Sequence, residues 1–548
     1  MNPNIIATKD LNVPDDIPGI GHLYFERMKQ HAKENKVFQI DADTGEKNTY
    51  ASMLERAIRT AKYLQEIGVK EGDIVAMYGP PHENSCIPFI SSFFIGAIPT
   101  SPSPGLTEEE TKQLVQLLDN PKVFFTIPDC VELIEKIIKD LGLEAKIIVF
   151  GDCENYPNYF KIIETEGNDD DFKPVEIDDL KKMAVLYYSS GSSGLPKAVS
   201  INHYAMIVQL QPKPLENPNT EYMLTCAKRI GNNFTVMAPG NFNWISAGVI
   251  LSSTINHGCT RILYKELILE KLWDIIEQFK VNFLLLSSNN TFSLCKLPPP
   301  KSDLIHLTTL LLAGSHVSGE SIETLRKYLP NCLVYQGYSQ TEFCGSNTHY
   351  DPYDKVHMKY ILEKPLSVGL PGPGITYKIV DPDTNEILGP NQKGELRCKG
   401  QTMFNGYYRV DSKEHFDEDG FYKTGDLAYY DEDKCFYIVD RIKENFKYKG
   451  YHICPTELED IIRQHPAVKE VAVIAIYHDL DQNHPVAIVV PNESVNVTAE
   501  EIREFYDSRV GDTKKLRGGV RLVNSLPMTV TGKVRKQELR RLVQENLI

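Results

Sequence analysis

Short apolar segments alternate with helical patterns along most of this chain, and this alternation limits its possible folds more than any other feature. The stretch "YASMLERAIRTAKYLQEIG" (50–68) repeats apolar residues at helical spacing, whereas "DIVAMYG" (73–79) and "AKIIVFG" (145–151) read as short buried strands. The pattern returns in "VNFLLLSS" (281–288) and "HLTTLLLAG" (306–314). Strands that alternate with helices predict parallel sheets covered by helices on both faces.

The sequence pattern changes near Val368, where turns rich in Gly, Pro and Asp divide short strand patterns. This change predicts an antiparallel or barrel-like subdomain. A compact unit follows Asp440, with a helix from about Pro455 to Arg463, a long hairpin pattern and a basic tail. We therefore predict an α/β fold with two domains. The larger one (residues 1–440) holds layered parallel sheets and the barrel-like subdomain, and the smaller one (residues 441–548) is α+β.

Length and charge exclude several classes of protein. A chain of 548 residues is too long for one ordinary domain, and its 42% apolar and 24% charged residues are typical of a globular protein. The net charge of −15 argues against a nucleic-acid partner or an anionic membrane surface, and no apolar run is long enough for an integral membrane segment. The expected state is a monomer, with other oligomers left open.

The termini and the cysteines bear on the compartment. The opening "MNPNIIATKDLNVPDD" has neither the basic nor the apolar region of a secretory signal, and the final "ENLI" does not match the peroxisomal Ser-Lys-Leu signal. Eleven cysteines are scattered singly, without a Cys-x-x-Cys pair or a Cys/His spacing that suits zinc. We expect reduced thiols in a cytoplasmic protein, with the peroxisome left open.

A loop of small hydroxyl residues follows a strand pattern in "YYSSGSSGLPKAVSINH" (187–203). Glycines let a backbone approach a ligand closely, while hydroxyls and a lysine suit a polyphosphate. The loop lacks the Gly-Lys-Ser/Thr ending of a Walker loop, and a plain surface turn is the alternative on local grounds. The residues predicted to bind phosphate are Ser189, Ser190, Gly191, Ser192, Ser193, Gly194 and Lys197.

Four segments in a fixed order carry a family resemblance: this loop, "YQGYSQTEF" (335–343), "YKTGDLAYYDEDKCFYIVDRIKENFKYKGY" (422–451) and "LPMTVTGKVRKQEL" (526–539). In this order they resemble the signature motifs of the adenylate-forming superfamily, which includes acyl-CoA synthetases, coumarate–CoA ligases and beetle luciferases. The resemblance spans about residues 45 to 540. Within this superfamily, the motifs are most similar to those of the insect luciferase-like branch.

The resemblance implies an ATP site. It assigns the Ser/Gly loop to the β- and γ-phosphates, Thr341 to a phosphate oxygen and Glu342 to Mg²⁺ bound to ATP. Gly337 and Tyr338 would lie against adenine. For Thr341 and Glu342, a solvated helix start is the alternative on local grounds.

Two further residues complete the implied nucleotide site. Asp426 would bind the ribose hydroxyls with support from Arg441, whereas an Asp in an ordinary turn is the local alternative.

The resemblance also makes the small domain mobile. Lys533 would bridge the carboxylate and ATP during adenylation, although by composition it is one lysine in a basic tail. Lys447 and Gly450 would reach the site in a second domain orientation, with Gly450 beside the pantetheine channel of coenzyme A. Lys443 resembles the hinge position.

Two segments depart from the family pattern near the expected acyl pocket. Asn243 or Trp244 stands near the place where a His is common. The segment "LAGSHV", with Ala313, Gly314 and Ser315, replaces the usual Gly-Gly-Ala-Pro, so we expect a reshaped pocket. His316 is expected to be a surface or packing residue rather than a base.

The implied activity is an ATP-dependent carboxylate–CoA ligase that acts on fatty or aryl-propenoic acids. Its reactants would be ATP with Mg²⁺, coenzyme A and a small carboxylic acid. A luciferase is the first alternative, because it shares the adenylation step and then uses O₂ to emit light. A nucleotide-binding protein that has lost acyl transfer is the second.

Overall fold

The computed structural model describes residues 2–14, 16–164, 169–189, 196–210, 234–352, 354–449, 451–492, 495–529 and 532–548. Within these residues the chain forms a large N-terminal domain of mixed sheets and a small C-terminal α+β domain. The predicted α/β fold class is confirmed. The strand Phe436–Arg441 spans the predicted boundary at residue 440, and the boundary itself stays a prediction.

The first sheet of the large domain has six strands, and its last strand runs antiparallel to the others. Fully buried apolar residues fill its central strands, as expected for a sheet covered on both faces. In spatial order its strands are Lys146–Val149, Val123–Thr126, Ile74–Tyr78, Ile98–Thr100, Met183–Ser189 and Lys197–Asn202.

The second sheet has seven strands and again one antiparallel edge pair. In spatial order its strands are Leu333–Gln336, Thr309–Ala313, Phe283–Ser287, Thr235–Met237, Thr260–Leu263, Val37–Asp41 and Lys47–Thr49.

Both sheets are therefore mixed, whereas the sequence predicted parallel layers. The cause is connection length. Only residues 190–196 separate Met183–Ser189 from Lys197–Asn202, and a parallel crossover needs a dozen or more residues. The strand Ile98–Thr100 contains Pro99 and is followed by Pro102, so its sequence does not show a strand pattern.

A third, antiparallel sheet occupies the region for which the sequence predicted an antiparallel or barrel-like subdomain. It is six-stranded and includes a short strand from the N-terminus. Its strands are Ile6–Ala7, Ile375–Val380, Ile387–Leu388, Gly394–Gly400, Tyr422–Tyr430 and Phe436–Arg441. Two small strand pairs lie near it: Ser339–Gln340 with Gly345–Ser346, and Thr348–His349 with Leu370–Pro371.

Helices of the large domain cover the sheets. The helix Tyr50–Glu66 shows the local logic, because Thr49 caps it in a reciprocal capping box with Ser52 and its apolar residues line one buried face. The helices of this domain are Ile20–Lys33, Tyr50–Glu66, Ile87–Ile95, Glu108–Leu118, Val131–Leu141, Tyr159–Ile163, His203–Leu210, Ile245–His257, Leu272–Phe279, Ser288–Leu294, Gly319–Tyr328 and Lys355–Glu363.

The small domain has its own buried core. Its first hairpin pairs Phe446–Tyr448 with Tyr451–Ile453, and its main sheet contains Val468–His478, Gln482–Pro491 and Val520–Leu522. Its helices are Pro455–Arg463, Ala499–Asp507 and Lys536–Gln544. In the parts of the chain that the structure describes, no helix has the length and apolar character needed to span a bilayer.

Candidate functional site

The predicted phosphate loop starts and ends on an antiparallel strand pair in which Ser189 faces Lys197. The residues Ser190, Gly191, Ser192, Ser193 and Gly194 lie outside the described residues. At the end of the loop, the Lys197 Nζ atom lies 2.9 Å from Nε2 of His415 and 4.6 Å from the ring centroid of Tyr407. The lysine is thus held at the edge of a group of aromatic and acidic side chains.

Glu342 supplies a buried carboxylate beside this lysine. It lies in the short 3₁₀ turn Thr341–Phe343 and is 7% exposed. The Tyr407 hydroxyl donates to Oε1 of Glu342 over 2.9 Å and lies 2.9 Å from the Tyr422 hydroxyl. Burial and the Glu342 carboxylate raise the pKa of Tyr407, so this phenol stays a hydrogen-bond donor. Thr341, at the start of the turn, is half-buried.

Asp426 is the second buried carboxylate of the site. It lies on Tyr422–Tyr430, opposite Arg441 on the neighbouring strand, and Arg441 Nε is 2.8 Å from its Oδ1. Its Oδ2 accepts from the Tyr338 hydroxyl over 2.5 Å and from Gln340 Nε2 over 3.3 Å. The Asp426 carboxylate raises the pKa of Arg441. Polar donors therefore surround this carboxylate.

Gly337 and Tyr338 connect the end of a strand to this carboxylate. The Gly337 N–H donates to the Leu312 carbonyl over 2.9 Å, and a Cβ on Gly337 would lie 3.0 Å from Leu311 Cδ1. A side chain would crowd the neighbouring strand at this position. Burial, followed by the charge of Asp426, raises the pKa of Tyr338 well above its usual value.

Lys533 comes to this site from the small domain. It follows Gly532, whose φ of 73° is left-handed, and its N–H donates to Thr529 Oγ1 over 3.0 Å. Desolvation, followed by the charge of Arg441, lowers the pKa of Lys533 to about 8, against opposing effects of Asp426 and Glu342. Residues more than 90 positions apart in sequence therefore share one electrostatic environment.

Polar contacts hold the small domain in this orientation. Asn289 of the large domain donates to the Gly532 carbonyl. Lys296 Nζ donates to the carbonyls of Val468 and Lys469 over 2.7 and 3.0 Å. His316 Nε2 lies 2.7 Å from Asp460 Oδ2, so this histidine, expected only at a surface or in packing, contacts the other domain.

Two of the three remaining small-domain residues, Lys447 and Lys443, are among the described residues. Lys447 is in Phe446–Tyr448, and its carbonyl accepts from Asn483 within the small domain. Gly450 lies outside the described residues. Lys443 is in the turn after Arg441. Its charge is one of the causes that lower the pKa of His415, after burial and the charge of Lys197.

The expected acyl-pocket residues lie on two segments of the chain. Asn243 is buried, and Trp244 precedes the helix Ile245–His257. Ala313 ends a strand, while Gly314 and Ser315 are exposed. Among the described residues no hydrogen bond joins one group to the other. The structure thus leaves the shape of this pocket as a prediction.

Sequence reasoning missed four side chains of the site: Gln340, Tyr407, His415 and Tyr422. Tyr422 could have been found, because strand alternation places residues 422, 424 and 426 on the same buried face. Tyr407 lies in an isolated β-bridge and His415 ends the short 3₁₀ turn Lys413–His415, and neither element is long enough for periodicity to indicate a direction.

Comparison with known proteins gives a consistent result. The model of the AMP-binding enzyme family matches residues 25–408, and that of the AMP-binding enzyme C-terminal domain matches residues 457–533. The chain is 28% identical to 4-coumarate–CoA ligase 3 of Oryza sativa over 509 positions, which cover 91% of this chain and 88% of that protein. It is 29% identical to luciferin 4-monooxygenase of Nipponoluciola cruciata over 562 positions, covering 99% and 98%.

Solved structures agree with these family matches. The luciferase-like enzyme from the nonluminescent Zophobas morio mealworm is 33% identical, with a TM-score of 0.71 over 81% of this chain and 100% of that one. ATP-bound MatB from Rhodopseudomonas palustris is 20% identical, with a TM-score of 0.82 over 96% of this chain and 100% of that one. The second likeness bears on the fold alone.

Proposed function

The chain belongs to the AMP-binding enzyme family of the adenylate-forming superfamily, and from this premise we propose that it is an ATP-dependent carboxylate–CoA ligase. The observation that carries the proposal is the presence of Lys533 in one site with two buried carboxylates, Glu342 and Asp426. Adenylation brings an anionic acid to an anionic triphosphate, so the site needs a cation between them and acceptors for sugar and metal.

In the first half-reaction a carboxylate oxygen of the acid attacks the α-phosphorus of ATP. A new O–P bond forms, the bond from the α-phosphorus to the bridging oxygen breaks, and pyrophosphate leaves. Lys533 and Lys197 would lower the repulsion between the two anions, and Asp426 would accept the ribose hydroxyls. Arg441 and Tyr338 keep that carboxylate oriented.

Glu342 fits a magnesium ion carried by ATP. Its carboxylate is buried and anchored by the Tyr407 hydroxyl, and Mg²⁺ prefers carboxylate and phosphate oxygens. Thr341 lies beside it and would bond a phosphate oxygen. When bound, Mg²⁺ neutralises phosphate charge.

In the second half-reaction the sulfur of coenzyme A attacks the acyl carbon and AMP leaves. We propose that the small domain, bounded at residue 440, rotates about Lys443 for this step. The rotation would withdraw Lys533 and bring Lys447 and Gly450 to the site. Fatty or aryl-propenoic acids are the proposed substrates, in agreement with the similarity to 4-coumarate–CoA ligase 3 of Oryza sativa.

A luciferase is the second candidate, because the chain is similar to luciferin 4-monooxygenase of Nipponoluciola cruciata over almost all of its length. The adenylation step would be the same. The α-carbon of the adenylate would then lose a proton and react with O₂. The peroxide formed would displace AMP to close a four-membered ring, and loss of CO₂ from that ring would leave an excited ketone that emits light.

One assay separates these functions. Purified protein is given ATP, Mg²⁺ and a panel of fatty and aryl-propenoic acids and a luciferin, with and without coenzyme A, while pyrophosphate, thioester and light are recorded. We expect acid-dependent pyrophosphate release and an acyl-CoA product. Light without thioester from any acid would favour the luciferase. ATP binding without pyrophosphate release would indicate a nucleotide-binding protein that has lost acyl transfer.

A further inference from the structure

The turn of the long hairpin in the small domain gathers three metal-binding side chains away from the nucleotide site. His478 ends one strand, His484 lies on the next, and Asp481 is in the turn between them. Their ligand atoms lie within 4.8 Å of one another. Of the residues that the structure describes, only these three form such a group.

The strand register places the two imidazoles on one face. His478 pairs with Gln482, and Ile476 pairs with His484, so the side chains of both histidines project to the same side of the hairpin. Their rings stack with centroids 4.0 Å apart and planes inclined by 20°. The turn then folds Asp481 over them, with Oδ2 2.8 Å from His484 Nε2 and 3.8 Å from His478 Nδ1.

Two of the three distances between ligand atoms are close to those around a tetrahedral ion. Zinc bonds of about 2.0–2.2 Å at tetrahedral angles put neighbouring ligand atoms about 3.3 Å apart. The two measured distances, 2.8 and 3.8 Å, lie on either side of that value. The side chains are 41%, 17% and 20% exposed for His478, Asp481 and His484, so an ion can reach them from solvent.

We propose that His478, Asp481 and His484 bind one zinc ion, with water in the fourth position. The ion takes the place of the proton between His484 Nε2 and Asp481 Oδ2, and that imidazole then carries its proton on Nδ1. At His478 the ion replaces the hydrogen bond that Nδ1 accepts from the Asp481 N–H. The sequence spacing did not reveal this site, because only the hairpin register brings the two histidines together.

The ligand set distinguishes zinc from the magnesium of MgATP. Neutral imidazole suits zinc and its neighbours in the transition series, whereas Mg²⁺ prefers six oxygen ligands in octahedral geometry. Magnesium present with ATP therefore leaves this site to zinc.

The positive charge of Lys449 would repel the bound zinc ion, so removing that charge should increase zinc affinity. Its Nζ lies 3.4 Å from Asp481 Oδ1, while its N–H donates to the Asp481 carbonyl over 2.9 Å. Asn483 Nδ2 also donates to the Lys447 carbonyl over 3.0 Å. The ion would thus lie on the hairpin that supports the segment from Lys447 to Lys449. Removing the ammonium group of Lys449 should raise zinc affinity by a factor of about two to five, which is the usual contribution of an exposed charge pair.

The experiment uses the full-length protein after treatment with a chelator and dialysis. Cobalt is titrated in, the visible absorption of tetrahedral Co²⁺ is followed, and zinc or magnesium is then added. We expect one Co²⁺ per chain, displaced by Zn²⁺ and unaffected by excess Mg²⁺. Zinc should also raise the melting temperature, because it binds only the folded hairpin.

Variants decide which residues bind the ion. His478→Ala and His484→Ala should each weaken Co²⁺ binding by at least about tenfold. Lys449→Gln should strengthen it. The control is His465→Ala, in the same domain, where the imidazole packs edge-on against Phe505, and it should bind as the parent does. Melting curves without metal verify that each variant folds.

Three results would overturn the proposal. They are the absence of the tetrahedral Co²⁺ spectrum in the parent protein, binding of Co²⁺ by both histidine variants as tightly as by the parent, and displacement of Co²⁺ by Mg²⁺.

Discussion

The pH dependence of adenylate formation follows from the surroundings of Lys533. Desolvation and the charge of Arg441 lower its pKa to about 8. The cation is populated below that pKa and lost as the pH rises through it. With this pKa, about 90% of the lysine is charged at pH 7, about half at pH 8 and about 10% at pH 9. We therefore predict that kcat/KM for adenylate formation falls about tenfold per pH unit above this range.

The two kinetic parameters should differ in a defined direction. The pH profile of kcat/KM reports groups of the free enzyme, whereas the profile of kcat reports the bound complex. Bound triphosphate favours the charged lysine and raises its pKa, so the alkaline limb of kcat should lie at higher pH. Initial rates of pyrophosphate release, measured without coenzyme A, give both profiles without interference from a titrating thiol.

Lys533→Arg identifies the group responsible. A guanidinium stays charged throughout this range, so the alkaline limb of kcat/KM should disappear even if the overall rate is lower. The matched control is Lys515→Arg, because Lys515 is 40% exposed and lies in the same domain. This control should keep the limb near pH 8. An unchanged alkaline limb in Lys533→Arg would refute the reasoning.

Three further changes test the ribose site, the contact between the domains and the packing of the large domain. Asp426→Ala should weaken ATP binding by about 10–100-fold in a calorimetric titration, because a buried charged acceptor is lost; unchanged binding by the folded variant would mean that the ribose site lies elsewhere. His316→Ala removes a 2.7 Å contact between the domains and should slow adenylation by a factor of about two to five. Thioester formation from preformed adenylate should be unchanged, and separate rates for the two half-reactions test both expectations. Gly248→Ala would place a Cβ 1.8 Å from the Tyr187 hydroxyl, so it should lower the free energy of unfolding by about 1–3 kcal/mol in denaturant titrations. The control is Gly240→Ala, whose Cβ would have contacts of 3.5 Å or more and which should change the free energy of unfolding by less than about 0.5 kcal/mol.

Periodicity predicted much of the fold, because burial imposes it on the sequence. The helix Tyr50–Glu66 was predicted from its apolar spacing, and a helix was predicted from about Pro455 to Arg463, where the structure has one. The strand Ile6–Ala7 was not, since it is two residues long and joins Ile375–Val380 of the third sheet. A pairing across more than 360 residues leaves no local signal.

The candidate site was predictable where a motif marked it. Asp426, Glu342 and Lys533 were identified by resemblance, and the structure brings them into one environment. Their supporting side chains Tyr407 and His415 lie in an isolated β-bridge and a short 3₁₀ turn, which are too short for a sequence pattern to indicate a direction. The contact of His316 with Asp460 depends on how two domains meet, which no local pattern encodes.

The central claim is that Lys533 serves only the first of two half-reactions, and that a hinge at Lys443 separates them. The most direct measurement follows adenylate formation and thioester formation from preformed acyl-adenylate separately in Lys533→Ala and in Lys443→Pro. Lys533→Ala should slow adenylation by about 10²–10³ and spare the second step, since the loss is electrostatic. Lys443→Pro, by fixing the backbone at the hinge, should accumulate the adenylate. Equal slowing of both steps in Lys533→Ala would contradict the account.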